Sequence, residues 1–359
     1  MKLVILFFLS LIATNTFADT QSLWKSRISQ MLSEGKIPLI DMETSYQENH
    51  IDEYFPNVIK AYDTLGIAVV AADGHQRPKD GSKGYRWSNY MLEAHKKYPN
   101  IFVPTTNGGV NRNWSRQYTG PKSFISQLEG EVSSRKYSLI GEIEFRHYMS
   151  NHQCKSDKHH RDVSVSIDGK LGDRVLGLSS KYNIPVVVHF EIEDSNVESL
   201  DRALSKHPNA KVIIAHLGQR RQPELQTKYN HILVKELLDK HKNLYFDLAN
   251  GHPNRKYHCS GKYKDETIVG DNVLWETDEF GQLDSISKDW VSILEEYSDR
   301  FVFASDYGAG RRDLTEHLEK KVYNFNRLVS GLSTEARHNV SYKNAWKLLT
   351  SREWKNDEN

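Results

Sequence analysis

Three apolar runs in this 359-residue chain stop on side chains able to handle protons or hold a metal ion: Ile184 to His189, Lys211 to His216, and Phe301 to Asp306. Other runs end near Glu43, Asp73, Glu142 and Glu144, and Asp247, and Glu191 follows His189 by two residues. Carboxylates and imidazoles set at one height on rigid strands suit a divalent cation, zinc first and manganese second. Such an ion lowers the pKa of a bound water towards neutrality. An unligated imidazole or carboxylate beside it then moves the proton.

The elements that must present these groups are eight strand-like runs: 37–43, 66–74, 101–107, 138–145, 184–191, 211–218, 244–249 and 301–306. Continuous apolar runs are the mark of strands covered on both faces, as in parallel sheets. Helix-period stretches lie between them, among them 53–62, 89–97, 122–134, 171–182, 197–205 and 231–241. Alternating units in that number predict an α/β chain folded as a (β/α)8 TIM barrel, whose strand carboxyl ends converge on one mouth. A doubly wound dinucleotide fold would need a Gly-rich loop after the first strand, where Glu43-Thr44-Ser45-Tyr46 stands. Two connections are too long for simple turns, 146–170 after the fourth strand and 250–288 after the seventh; long inserts of this kind usually cover a site.

The order of short motifs is similar to the amidohydrolase superfamily, in its branch of metal-dependent barrels related to aminocarboxymuconate-semialdehyde decarboxylase. The matching residues are Ile40, Asp41 and Glu43; Gly141-Glu142-Ile143; Val188-His189; Ala215-His216-Leu217-Gly218; Ala304-Ser305-Asp306; and Asn344-Ala345-Trp346. The resemblance spans about 37–349 and implies that His189 and Asp306 bind the metal, with His216 as ligand or acid–base group. The family's first strand ends in His-x-His, and here those positions hold Glu43-Thr44-Ser45. The ligand set so implied is Glu43, His189, His216 and Asp306 around one divalent ion, with His216 and Asp306 catalytic. The resemblance implies a metal-dependent hydrolase cutting an ester, lactone or amide through metal-activated water. The alternatives are decarboxylation of a small carboxylic acid, which Glu43 favours, and a metal-free barrel that only binds ligand.

Arginines and a histidine after the strands, Arg146, Arg220, His252 and Arg311, suit a small anionic substrate, because guanidinium grips carboxylates in two places. Glu142 has Arg146 nearby as an alternative partner, and Asp247 reads equally as a structural cap. His152, His159, His160, Lys155, Lys158 and Arg161 read as a solvated segment.

The net charge of +1 offers no case for nucleic acid. Residues 1–18 read as a signal peptide: Lys2, a short apolar core, and Ala18 before Asp19. The mature chain, 19–359, is then a single barrel domain in the periplasm or secreted, without a membrane segment, acting on a small molecule and compatible with a homo-oligomer. In that compartment the only two cysteines, Cys154 and Cys259, one in each long insert, are expected to form a disulfide.

Overall fold

A computed structural model of the chain describes residues 19–46, 54–74, 90–110, 113–116, 123–249, 256–257, 259, 268–269, 274–277, 283–307 and 314–356. The fold is mixed α/β with parallel sheets. One sheet has the order β1 (Leu39–Tyr46), β2 (Ile67–Gly74), β3 (Phe102–Val103), all parallel. The larger sheet joins β4 (Ile140–His147), β6 (Pro185–Phe190), β7 (Lys211–Ile214), β8 (Leu244–Asp247) and β13 (Phe301–Val302) in parallel. The short β5 (Val163–Ser164) runs antiparallel on the free side of β4. Isolated parallel bridges link the two sheets on both sides, Thr105 to Leu139 and Gly109 to Ile143 on one, Thr44 to Tyr307 on the other.

Side chains alternate across each strand. Val186, Val188, Val212 and Ile214 join a core shared with the flanking helices, while Val187, Ile213, Ala215 and Val302 belong to a second, inner cluster. Trp24, Ile28 and Met31 from residues 19–33, a helix, and Trp346, Leu348 and Leu349 near the end of the chain complete that inner cluster. The helices Phe55–Leu65, Lys170–Tyr182, Val197–Lys206 and His231–Lys240 lie between strands as expected. No helix among the described residues is long and apolar enough to cross a membrane.

Two strands are shorter than their apolar runs. β3 stops at Val103 because Pro104 has no N–H to give the ladder. β13 stops at Val302 because later N–H groups bond elsewhere: Phe303 to the Val340 carbonyl and Ser305 to Asp41 Oδ1 at 2.9 Å. Four short strands in the second insert, β9 (Lys256–Tyr257) with β10 (Ile268–Val269) and β11 (Trp275–Thr277) with β12 (Leu283–Ile286), pair antiparallel and were not anticipated. Cys154 and Cys259 are disulfide-bonded as expected, with Cα atoms 6.1 Å apart. Residues 1–18, His252 and Arg311 lie outside the described residues.

Candidate active site

His189 ends β6 buried, its ring held between two carboxylates. Nδ1 lies 2.7 Å from Glu142 Oε1, and Nε2 lies 3.3 Å from Glu191 Oε1. Glu191 is itself anchored, since its Oε1 accepts from Arg221 Nη1 at 2.7 Å and from the Tyr148 backbone N–H at 2.8 Å. Arg221 is buried and also donates to the Tyr148 carbonyl at 2.8 Å. With its Nε2 proton towards Glu191, a histidine so gripped turns its Nδ1 edge to Glu142.

His216 sits just past β7, its ring centroid 4.9 Å from that of His189. Its Nε2 is 3.5 Å from Glu142 Oε1, while Nδ1 is 3.8 Å from Glu43 Oε2 and 3.3 Å from the Ala249 carbonyl. The backbone here is unusual: His216 has φ 55° and Asp306 φ 44°, in the left-handed region that non-glycine residues rarely adopt. Such conformations persist only where the surroundings enforce them, and they gather at functional sites. The enforcing bonds are visible. Asp247 Oδ1 accepts from the backbone N–H of both His216 (2.8 Å) and Ala249 (3.0 Å), and the Asp306 N–H donates to the Glu43 carbonyl at 3.0 Å. Asp41, buried below, accepts from Ser305 N and from Ser305 Oγ at 2.5 Å, tying the first strand to the last. Burial pushes the Asp41 carboxyl up to about 7.

The donors form two groups of three that share His216: Glu142, His189 and His216, and Glu43, His216 and Asp306, each with its ligand atoms within 4.8 Å of one another. The expected quartet of Glu43, His189, His216 and Asp306 is therefore parted across the two edges of the His216 ring, with Glu142 entering on the His189 side.

Charge in the site is unevenly answered. Burial pushes Glu43 well above the carboxylate range, helped by the charges of Asp306, Glu142 and Asp247. Burial also raises Asp247. For Glu142 burial is overcome by hydrogen bonds from His189 and His216, which hold it well below the usual range. Burial would lower His189, yet Glu142 and Glu191 carry it up to about 9, and His216 is raised in the same way by Asp306 and Glu142. Buried Glu43 Oε2 and Asp247 Oδ2 have no hydrogen-bond partner among the described residues. Crowded carboxylates, two imidazoles and carboxylate oxygens without donors fit a divalent cation, and the mixed N/O set suits zinc or manganese.

Arg146 was expected to grip substrate. It instead bonds Glu193, Asp162 Oδ1 at 2.7 Å and the Val163 carbonyl at 3.0 Å, with its guanidinium 3.5 Å from the Tyr148 ring centre. Glu142 and Arg146 are four residues apart on a strand, ~13 Å, out of reach of each other. Arg220 is half-buried, and its Nε has no hydrogen-bond partner among the described residues. Arg161, placed by sequence in a solvated segment, turns inward to pair with buried Glu144. Sequence reasoning passed over Arg221's anchoring of Glu191 and also Lys321, whose Nζ is 3.8 Å from Asp306 Oδ2. Arg221 carried a signal, as one of two arginines directly after a strand that ends in histidine. Lys321 carried none, because it lies in a helix beyond the last strand.

A family model described as Amidohydrolase matches residues 147–350. Among solved structures, 2,6-dihydroxybenzoate decarboxylase complexed with 2,6-dihydroxybenzoate shares the fold, at 11% identity and TM-score 0.50 over 87% of this chain and 99% of that one. Dihydroorotase from Campylobacter jejuni aligns at 14% identity and TM-score 0.47, over 89% and 84% of the two chains. An amidohydrolase from Burkholderia multivorans with bound zinc aligns at 11% identity and TM-score 0.46, over 87% and 99%. No curated protein matches the chain.

Proposed function

The chain belongs to the amidohydrolase family, and from that premise we propose that it is a metal-dependent hydrolase of a small anionic ester, lactone or amide. The observation that carries this reading is the meeting of two carboxylate–histidine donor groups on His216, beside carboxylate oxygens that lack donors. When bound, one divalent ion, zinc or manganese, polarises the scissile carbonyl and acidifies water. His189 and His216, with Glu142 on one side and Glu43 and Asp306 on the other, hold it. Proton transfer falls to Asp306 and His216, on the edge that the ion leaves free: they take a proton from the attacking water and return it to the leaving group. Arg220, with His252 and Arg311 from the loops, remains our proposed contact for the substrate's negative charge.

The same reading includes a closed eight-stranded barrel with inserts after β4 and β8. The bridges from Thr44 to Tyr307 and from Thr105 to Leu139 support closure. It further includes a signal peptide at 1–18, a single domain from 19 to 359, export to the periplasm or medium, and a small-molecule substrate; the disulfide supports export. Decarboxylation is the second reading, favoured by Glu43 where the first histidine of His-x-His would stand.

The test is metal content of the purified protein by inductively coupled plasma mass spectrometry, beside His216→Ala, which removes the ligand common to both groups. About one zinc or manganese per chain, lost in the variant, supports the reading. No metal after reconstitution sinks it. Screening esters, lactones and amides against CO2 release from carboxylic acids then separates the two reactions.

A further inference from the structure

At the amino ends of β4 and β6, away from the site described above, lies a cleft of about 210 Å³. Tyr137 and Ser138 line it just before β4, Asn183 and Ile184 just before β6, and Leu349 to Ser351 at the close of the helix Asn344–Thr350. His189 stands five residues along β6 from Ile184, ~16 Å away at the ordinary rise of a strand. We propose that this cleft is a second, separate binding site, for a small carboxylic acid that carries one aromatic ring.

Its size admits one ring. An apolar cavity of about 150 Å³ takes benzene, and the further room here suits a carboxylate on the ring. Val132, Ile184 and Leu349 offer apolar contact, while Tyr137 and Tyr182 offer aromatic partners.

The charge around the cleft calls for an anion. The Arg135 guanidinium lies 5.4 Å from the Tyr182 ring centre, and Lys181 Nζ lies 5.2 Å from it. Neither cation has a carboxylate partner among the described residues. Lys211 Nζ, behind the wall, donates to the carbonyls of Asn183 at 3.2 Å and Leu348 at 3.4 Å and to Ser351 Oγ at 3.0 Å, with no acid among them. Lys347, by contrast, is answered by Glu353 at 2.6 Å. Glu131, whose charge is felt at Tyr137, accepts from the Asn107 backbone and not from these cations. A guanidinium without an acid, set at the rim of an apolar cleft, suits a carboxylate. Ser351 adds a donor. Its Oγ already accepts from Asn183 Nδ2 at 3.1 Å and from Lys211 Nζ, which fills both lone pairs and leaves the hydroxyl proton to give.

The backbone singles out the same residues. Among the described residues eight that are not glycine have positive φ. His216, Leu217, Gln219 and Asp306 stand at the strand carboxyl ends, and Arg135 (55°), Asn183 (57°) and Ser351 (57°) all line this cleft. Each of these three follows the end of a helix, where glycine would be least strained, yet each keeps a polar side chain. Positions of this kind gather at functional sites.

The experiment is isothermal titration calorimetry on the full chain, prepared metal-free, with sodium benzoate, benzamide and inorganic phosphate as probes. Benzoate should bind saturably at one site. Loss of the charged hydrogen bonds should weaken it at least about tenfold in Arg135→Gln, and benzamide should bind wild type at least about tenfold more weakly than benzoate. Phosphate, which has no ring for the apolar wall, should give no saturable heat. Arg220→Ala, at the strand carboxyl ends, should leave benzoate affinity unchanged. Arg135 is exposed, so its variant should keep the wild-type melting temperature, and Ser351→Ala provides a second, milder loss of affinity. No saturable heat from benzoate overturns the proposal, as does equal affinity in Arg135→Gln or an equal response to benzamide or phosphate. A loss of affinity in Arg220→Ala would place the acid at the strand carboxyl ends and overturn it too. No metal enters the assay, so failure here leaves the metal reading of the strand ends standing.

Discussion

Replacing both Cys154 and Cys259 with serine removes a bond that spans 105 residues of chain. In the chain-entropy model a loop of that length restricts the unfolded state by about 4.8 kcal/mol. The native state should change much less. Tyr257 Oη still donates to the Met149 carbonyl at 2.6 Å, and Gln222 Nε2 to the Cys259 carbonyl at 3.4 Å, so the second insert stays docked to the first and to the segment after β7 without the bridge. We therefore expect the double serine variant to lose roughly 3–5 kcal/mol of unfolding free energy, the range set by loop length and relaxation of the fold. Equilibrium urea unfolding, followed by tryptophan fluorescence, measures it. The denaturant slope should rise in the variant, because an uncross-linked unfolded chain exposes more surface. A loss below about 1 kcal/mol with an unchanged slope would refute the reasoning, since the bridge would then not be restraining the unfolded chain.

Three further outcomes follow from the same geometry. Glu191→Met with Arg221→Met removes the acceptor that fixes the His189 Nε2 proton while keeping the pocket filled; zinc affinity should fall about 10–100-fold with little change in melting temperature, and isothermal titration with zinc that shows equal affinity would rule out this orienting role. In metal-free protein, the Glu142–His189 pair should stabilise the fold within a pH window. Glu142 lies below its ordinary 4.5, so its share is present above that value and lost as pH falls through its lowered pKa; His189 is raised from 6.5 to about 9, so its share is full below 6.5 and lost as pH rises through 9. The urea-midpoint gap between wild type and Glu142→Gln should thus be widest near pH 5–6 and narrow by pH 10, and a constant gap would contradict the pairing. Gly141→Ala places a Cβ 2.6 Å from the Thr106 carbonyl and 2.7 Å from Asp73 Cβ, too close to be absorbed; about 1–3 kcal/mol of destabilisation in thermal unfolding is expected, and a neutral result would mean that the strands here can separate freely.

What the sequence made legible was whatever depends on local pattern. Val186 to Val188 and Val212 to Ile214 announce buried strands by composition, so the sequence alone places His189 and His216 at strand ends. Strand lengths were less legible, because the end of β13 is decided by where Phe303 and Ser305 send their N–H groups, and those acceptors, the Val340 carbonyl and Asp41, lie far away in sequence. The same limit explains the arginines. Charge alone made Arg146 look like a substrate clamp, but Glu193 and Asp162 reach it only through tertiary packing.

The larger shift concerns Glu142. In sequence it is one of several acids near the end of a run, and its role depends on a distance of 2.7 Å to a histidine 47 positions later. Once that distance is known, His216 cannot be treated as one ligand among four equals. Its Nε2 edge faces Glu142, and its Nδ1 edge faces Glu43 and the Ala249 carbonyl. A neutral imidazole offers one lone pair. If Nδ1 donates to Ala249, that lone pair points to Glu142 and His189, and the cation belongs on their side, with Asp306 left to move protons. Zinc binding therefore separates the two sides: His189→Ala should abolish it, while Asp306→Asn should weaken it by less than about tenfold and depress turnover far more. Loss of zinc in Asp306→Asn with retention in His189→Ala would place the ion on the opposite edge of His216.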